Sequence, residues 1–327
     1  MEVSATARSV TVLCGGVGAA RFMRALASVH QASDTTAVIN TGDDTVLHGL
    51  DISPDIDTVT YTLAGAIDPE RGWGLRGESW RAMEALQRFV LVKPTGSVAA
   101  PTWFNLGDKD LATHLYRTAR RAEGASLTTV TAELAAAWGL DQQLLPMSDS
   151  AVSTMVSLRE EAIEVPFQEY FVKRGHNVLV EALRFAGAAQ ASLTQLARAA
   201  LVDSEVVVIA PSNPLVSIGP IRALANVDDL LAARRDSVVA ISPIVGGVAL
   251  KGPADRMLRE LGHEPSVVGV ARLYAEIAST LVIDPVDEAS VAAIEAAGMR
   301  ALVTPSVMSE VNVGPELARR ALAAAHG

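Results

Sequence analysis

Val10-Thr11-Val12-Leu13-Cys14-Gly15-Gly16-Val17-Gly18, followed from Ala19 by an Ala- and Leu-rich helical pattern, decides the fold of this chain. An apolar, β-branched run that ends in glycines and opens a helix reads as a phosphate-binding strand, turn and helix. Gly15, Gly16 and Gly18 let the backbone take positive φ and come close to a phosphate, while the free N–H groups and dipole at the helix start favour an anion. The loop does not name its ligand: dinucleotide, nucleotide-sugar and flavin folds all use variants of it, and so does a tight turn with no ligand. A second loop, Asn40-Thr41-Gly42-Asp43-Asp44-Thr45, follows another apolar run over 36–39. Two strands therefore end in polar loops on one edge of a parallel sheet.

The 327 residues, half of them hydrophobic and only 4% aromatic, are enough for a sizeable core in one large domain or two interlocked ones. Abundant Ala, Val and Leu suits an α/β protein whose central strands are buried on both faces. A net charge of −10 argues against a nucleic-acid binder, which needs a basic surface to displace counterions. An anionic ligand must be held by local devices: loop amides, a few Arg or Lys, or a metal ion. The single cysteine, Cys14, excludes an intramolecular disulfide and reads as packing at the end of a buried strand. No apolar run reaches the roughly 18 residues of a membrane span and no secretory leader opens the chain, so the expectation is a cytoplasmic protein without membrane or nucleic-acid partners.

Apolar runs at 10–14, 36–40, 205–210, 237–241, 280–284 and 300–303 predict strands, and amphipathic segments near 19–29, 191–202, 221–234, 254–261, 268–278 and 287–297 predict helices. That alternation means an α/β fold, a doubly wound, mostly parallel Rossmann-like sheet. Between about 71 and 180 helical periodicity dominates, at 78–90, 108–121 and 127–138, and the runs 152–158 and 163–172 alternate as a short antiparallel pair. The expected organisation is a nucleotide-binding core from 1–70 and 181–327, with 71–180 a largely helical insertion and β pair covering an acceptor site. Pro211, Pro214 and Pro220 stiffen a loop beyond the 205–210 run, where a parallel sheet places its ligand.

Asp43, Asp44, Asp55 and Asp57 lie within a short span, and in an extended segment Asp55 and Asp57 point to the same side. Carboxylates without basic neighbours repel unless solvated or bridged by a cation, and beside a phosphate loop Mg²⁺ is the natural bridge. The alternative is that Asp43 caps a helix and Asp55 and Asp57 make Asx turns. Asp68-Pro69-Glu70-Arg71-Gly72-Trp73-Gly74 combines Arg71 with the Trp73 indole, suited to stacking a flat ring or steering a phosphate, or simply an exposed turn. In Asn105-Leu106-Gly107-Asp108-Lys109-Asp110, Asp108 reads as the N-cap of the helix it opens, and His114 as a packed or solvent-touching residue rather than a metal ligand. Ser212 and Asn213 offer a hydroxyl and an amide at a strand's carboxyl end. The chain lacks a Walker loop, a GxSxG elbow, an HExxH segment and paired CxxC motifs.

Taken together, GGVGAARF (15–22), NTGDDTVLHGL (40–50), SPDIDTVTYTLAG (53–65), IDPERGWG (67–74), LGDKDLATHL (106–115), LLPMSDSAVST (144–154), PSNPLVSIGPI (211–221) and SPIVGG (242–247) resemble the 2-phospho-L-lactate transferase family, which assembles the deazaflavin hydride carrier coenzyme F-420. The resemblance implies that the ribityl hydroxyl of the deazaflavin Fo attacks the β-phosphorus of a guanosine diphospho-linked three-carbon acid and releases GMP. The acid is lactate, enolpyruvate or glycerate in different members. It implies Mg²⁺ on Asp44, Asp57 and Asp43, with Asp57 and Asp44 supporting catalysis. Fo falls against Asp57 and Asn105, the latter a position where archaeal members tend to have Lys, so that Lys109 or Arg71 would compensate; Arg71 and Trp73 complete that side. Gly15, Gly16, Gly18, Ser212 and Asn213 fall on the guanosine diphosphate half. A homodimer is expected. The competing readings are a non-catalytic nucleotide-sugar-binding regulator with the same glycine loop, and, by fold analogy alone, an NAD-dependent oxidoreductase.

Overall fold

The computed structural model describes residues 9–310 and 312–325. From the amino end, β1 (Val10–Cys14) runs into α1 (Gly16–Ala27), and β2 (Thr35–Ile39) into the hairpin β3 (Thr45–Leu47) and β4 (Leu50–Ile52), followed by α2 (Pro54–Leu63). Three helices come next, α3 (Arg81–Val90), α4 (Asp110–Ala122) and α5 (Leu127–Ala137), then β5 (Gln143–Pro146), β6 (Ser153–Leu158), β7 (Ile163–Pro166) and β8 (Val180–Ala186). The rest alternates through α6 (Gln195–Asp203), β9 (Val206–Ile209), α7 (Gly219–Arg222), α8 (Val227–Ala232), β10 (Val238–Ile241), the hairpin β11 (Ile244–Val245) and β12 (Val248–Ala249), and α9 (Ala254–Glu260). It ends with α10 (Val267–Tyr274), β13 (Thr280–Ile283), α11 (Val291–Ala296), β14 (Arg300–Val303) and α12 (Val313–Ala324).

Seven strands form one parallel sheet in the order β14-β13-β10-β9-β1-β2-β5. β1, β9, β10 and β13 are buried at every residue. That is why their sequences are continuous apolar runs rather than alternating ones. Alternate side chains go to opposite faces. Leu13, Val38, Ile209 and Leu281 pack with Leu201, Leu231 and Tyr274 on one face. Val12, Cys14, Ile39 and Val208 pack with Phe22, Met23, Ile56 and Leu317 on the other. The chain builds outward from β1 through β2 to β5 on one side, and from β9 through β10 and β13 to β14 on the other. The switch in direction opens a crevice between β1 and β9 at their carboxyl ends, where such sheets bind ligands.

The structure departs from the sequence reading at several places. Leu144-Leu145-Pro146 is no mere approach to a loop: it lies in β5, the seventh strand, paired with β2 at the sheet edge where Pro146 costs no ladder bond, so the interval 71–180 contributes to the central sheet. The antiparallel pair exists as β6 and β7, but β8 adds to it in the order β7-β6-β8, while residues 169–173 form a π-helical turn instead of continuing the strand. The 221–234 helix is two short ones separated at Asn226, which sits at φ 64°. Asp55 and Asp57 are in no extended segment; they occupy the first turn of α2 behind Pro54. Pro at the first helical position followed by acidic residues is a helix-start signal.

The helices beyond α2 are clamped by exchanged caps. Asp108 does not cap its own helix: it accepts the Arg81 and Ala82 amides (3.1 Å each) at the start of α3. Glu78 in return accepts the Lys109 (2.9 Å) and Asp110 (3.0 Å) amides at the start of α4. Between them Leu106 and Met83 pack with Leu47 and Ile52 in a small separate core. Gly107 permits the crossing, since a Cβ there would lie 2.2 Å from Glu78 Cδ. Gly107→Ala is expected to displace the Glu78 cap and lower stability by about 1–3 kcal/mol in urea unfolding; an unchanged midpoint would show that the exchanged caps do not hold these helices.

Candidate active site

The glycine loop and the 211–217 loop meet at the crevice between β1 and β9, and the three glycines divide into two roles. A Cβ on Gly15 would come 2.6 Å from Ser217 Cβ, and one on Gly18 would come 2.2 Å from the Pro211 carbonyl oxygen. These two let the neighbouring loop lie against α1. Gly16 alone needs the left-handed region, at φ +74°, and its missing side chain faces open space. Asn213 turns inward: its Oδ1 accepts the Leu215 amide at 2.9 Å and its Nδ2 lies 3.8 Å from Met257 Sδ, so it builds the loop. Ser212 is 4% exposed and its hydroxyl has no hydrogen-bond partner among the described residues. Of that pair, Ser212 keeps capacity for a ligand.

Asp55 ties this crevice to the second loop. Its Oδ1 accepts the Gly16 amide at 2.8 Å and its Oδ2 accepts Asn40 Nδ2 at 2.9 Å, while Asn40 Oδ1 accepts the Gly42 amide at 2.8 Å. Burial pushes the Asp55 carboxyl up to about 6 despite those donors. Asp43 and Asp44 follow on the loop. Burial, then the charges of Asp55 and Asp44, push Asp43 well above the carboxylate range. Asp44 is pushed up by burial, against the Ser53 hydroxyl that it accepts at 2.7 Å. Asp43 caps no helix. One oxygen of each, Oδ1, is buried with no hydrogen-bond partner among the described residues. Both residues line a crevice of about 350 Å³ with Thr41, Ser53, Arg117 and Thr154. Buried carboxylates with idle oxygens are the donor set a hard divalent cation takes, so Asp43 and Asp44 fit Mg²⁺.

Asp57 lies elsewhere. Two positions along a helix rotate the side chain by about 200°, so Asp57 faces away from Asp55. It meets the fully buried Arg117 of α4, whose Nη2 pairs with Oδ1 and whose Nη1 donates to Oδ2 at 3.1 Å. His114 lies behind the pair, Nδ1 at 3.7 Å from Asp57 and Nε2 at 3.2 Å from Asp110. The Tyr61 hydroxyl donates to Asp110 at 2.6 Å. Burial raises the Asp57 carboxyl while Arg117 and His114 oppose that. Ligand atoms of Asp57, Asp110 and His114 lie within 4.8 Å of one another, but the Arg117 guanidinium already supplies Asp57 with its cation. Sequence reasoning missed Arg117, since nothing in the Arg120-Arg121 surface run distinguishes it; its one signal is the spacing from His114, one turn away on the face that α4 buries.

On the acceptor side, Arg71 pairs with Asp68 at 2.9 Å and lies 5.4 Å from the Trp73 ring centre and 5.3 Å from that of Trp80. Trp73 is 42% exposed, an open flat surface. Asn105 is exposed and makes no hydrogen bond among the described residues, and Lys109 is held by the Arg76 carbonyl at 2.9 Å. Neither Lys109 nor Arg71 is therefore idle at this position. A second recess of about 800 Å³ lies at the amino ends of β10, β13 and β14. There Arg234 and Arg235 donate to the Leu201 and Ala275 carbonyls at 2.6 Å each and tie the helix ends to the sheet.

A doubly wound parallel sheet with a glycine loop at its switch point and buried carboxylates beside it is the framework of an α/β protein with a polar candidate site at its carboxyl edge. The model of the family described as 2-phospho-L-lactate transferase CofD matches residues 10–307, and the chain belongs to that family. It is 40% identical over 320 residues to the phosphoenolpyruvate transferase of Kitasatospora aureofaciens, covering 97% of each chain, and 39% identical over 339 residues to that of Mycobacterium avium, covering 94% of this chain and 98% of the relative. The chain is thus a transferase of a phosphate-containing group. A crystal structure of a UPF0052 family member from Bacillus halodurans shares the fold at 12% identity, with a TM-score of 0.61 over 96% of this chain and 98% of that one. Among the described residues no helix is long and apolar enough to cross a membrane.

Two expectations follow from the charges. Arg117→Met leaves Asp57 buried without its partner and should cost about 3–5 kcal/mol in urea unfolding, a loss partly recovered by adding Asp57→Asn. An undiminished midpoint for Arg117→Met would show that the pair is dispensable. For Asp55, an acid whose pKa is raised by folding, the stabilising contribution is full below its ordinary value and disappears as the pH climbs through about 6. The metal-free protein should therefore melt at lower temperature at about pH 7.5 than at about pH 5, and Mg²⁺ should raise the midpoint more at the higher pH. Indifference to Mg²⁺ at both pH values would remove the cation from this crevice.

Proposed function

We propose that this chain transfers an enolpyruvyl phosphate group from a guanosine diphospho-linked donor to the terminal ribityl hydroxyl of the deazaflavin Fo, releasing GMP, in coenzyme F-420 biosynthesis. The observation that carries the reading is the placement of Asp43 and Asp44, buried with idle oxygens, beside the glycine-loop crevice through Asp55. The enolpyruvyl group is favoured over lactyl and glyceryl alternatives by the names of the curated relatives.

Attack at the donor's β-phosphorus forms a bond to the acceptor oxygen and breaks the bond to the bridging oxygen, which leaves with GMP, while the acceptor's hydroxyl proton passes to solvent. Such a displacement calls for charge neutralisation and alignment more than covalent help. The open side of Gly16 and the Ser212 hydroxyl receive the diphosphate at the start of α1. Mg²⁺ held by Asp43 and Asp44 would neutralise charge developing on the phosphate oxygens. The buried Asp57–Arg117 pair fixes α2 against α4 behind the site, and Trp73 offers a flat face to the deazaflavin ring.

The test is an assay with Fo, Mg²⁺ and each of the three guanosine diphospho-linked acids, with products read by mass. The enolpyruvyl donor should give the fastest turnover, chelation should abolish it, and Asp44→Asn should reduce it by about 10² to 10⁴ without loss of folding. Product from none of the three donors would overturn the function; full turnover in chelator would overturn the metal's part in it.

A further inference from the structure

Lys251 carries no role in the reading so far, yet its place is fixed. β10 ends at the same carboxyl edge as β9, and the hairpin β11–β12 that follows it is pinned by the Gly246 amide donating to Asp287 at 2.9 Å and the Ala249 amide reaching Asp255 at 3.4 Å. The hairpin delivers Lys251 to the Asp68–Gly74 loop. A Cβ built on Gly72 would lie 3.2 Å from Lys251 Nζ and 3.4 Å from Val17 Cγ1, so Gly72 is held between the ammonium group and the first turn of α1. Gly72 itself sits at φ +75°, a backbone conformation that keeps the gap free of a side chain.

The chemistry around this ammonium group is one-sided. Lys251 makes no hydrogen bond or ion pair among the described residues, whereas Arg71 and Lys109 on the neighbouring loops and Arg117 of α4 all have partners. At the start of α1 beside it the Gly16 amide is taken by Asp55, and the Ser212 hydroxyl, on the loop packed against α1, is buried without a hydrogen-bond partner among the described residues. Asp43 and Asp44 line the adjoining crevice together with Arg117 and Arg121, so a diphosphate bound there meets carboxylates as well as cations.

Resting on the proposed function, we propose that Lys251 is a donor-binding residue that pairs with an anionic oxygen of the guanosine diphosphate group, opposite the Asp43 and Asp44 carboxylates. The Asp68–Gly74 loop then serves both ligands: Trp73 faces the acceptor side, and Gly72 leaves room for the lysine to reach the donor.

Calorimetry with GDP and GMP on the parent, Lys251→Met and Lys251→Arg tests this. The expected result is a loss of about tenfold in GDP affinity for Lys251→Met, little change for GMP, a shallower dependence of GDP affinity on salt, and substantial recovery in Lys251→Arg. Lys251 is exposed, so the thermal midpoint should not move and the loss would not be one of folding. Unchanged GDP affinity in Lys251→Met overturns the assignment. A raised KM for the complete donor with GDP affinity intact also overturns it, by moving the lysine to the acid's carboxylate. A parent that binds no GDP defeats the functional reading itself, an outcome visible before any variant is made.

Discussion

The Asp55 carboxylate holds the site together. It accepts the Gly16 amide on one oxygen and the Asn40 side chain on the other, and so joins the loops that follow β1 and β2. A buried carboxylate with two donors is far better satisfied than one without, yet burial still pushes it up to about 6. The protein therefore keeps a poorly solvated carboxylate at the start of α1, where the two loops meet. Asp43 and Asp44 follow on the neighbouring loop, each with one buried oxygen that has no hydrogen-bond partner among the described residues, and the charge of Arg117 reaches Asp44.

Asp57 shows the opposite solution to the same problem. Only two residues along α2, it is rotated to the far side and neutralised by Arg117, with His114, Asp110 and Tyr61 behind. Removing one member of such a buried pair costs more than the pair contributes, because the charge left behind has no water to turn to. Asp57 is thereby held by its ion pair, while Asp55, two residues earlier on α2, is held by amide donors, and the pitch of the helix makes that division.

The rim of the site is built from pieces distant in sequence. Glu78 and Asp108 exchange caps between α3 and α4, which sets the loop carrying Asn105. Trp80, next to one of those caps, shares the Arg71 guanidinium with Trp73. Lys251 reaches Gly72 from a hairpin at the other side of the switch point. A rim assembled in this way lets loop composition vary over a constant sheet, in keeping with the UPF0052 structure that shares the fold at 12% identity.

The sequence by itself determined the sheet and its binding edge. Fully buried parallel strands must be short apolar runs, and the glycine loop had to follow the first of them, so β1, β2, β9, β10, β13, β14 and the location of the crevice were legible. β5 was not, because three residues before a proline carry too little pattern to distinguish an edge strand from a loop. Tertiary structure decided which carboxylate does what. Asp55 and Asp57 look equivalent as letters, and the start of α2 at Pro54 separates them by rotation. Partner choice then depends on residues some 40 and 60 positions away, Gly16 at |i−j| of 39 and Arg117 at 60, distances over which only the folded chain brings charge to charge.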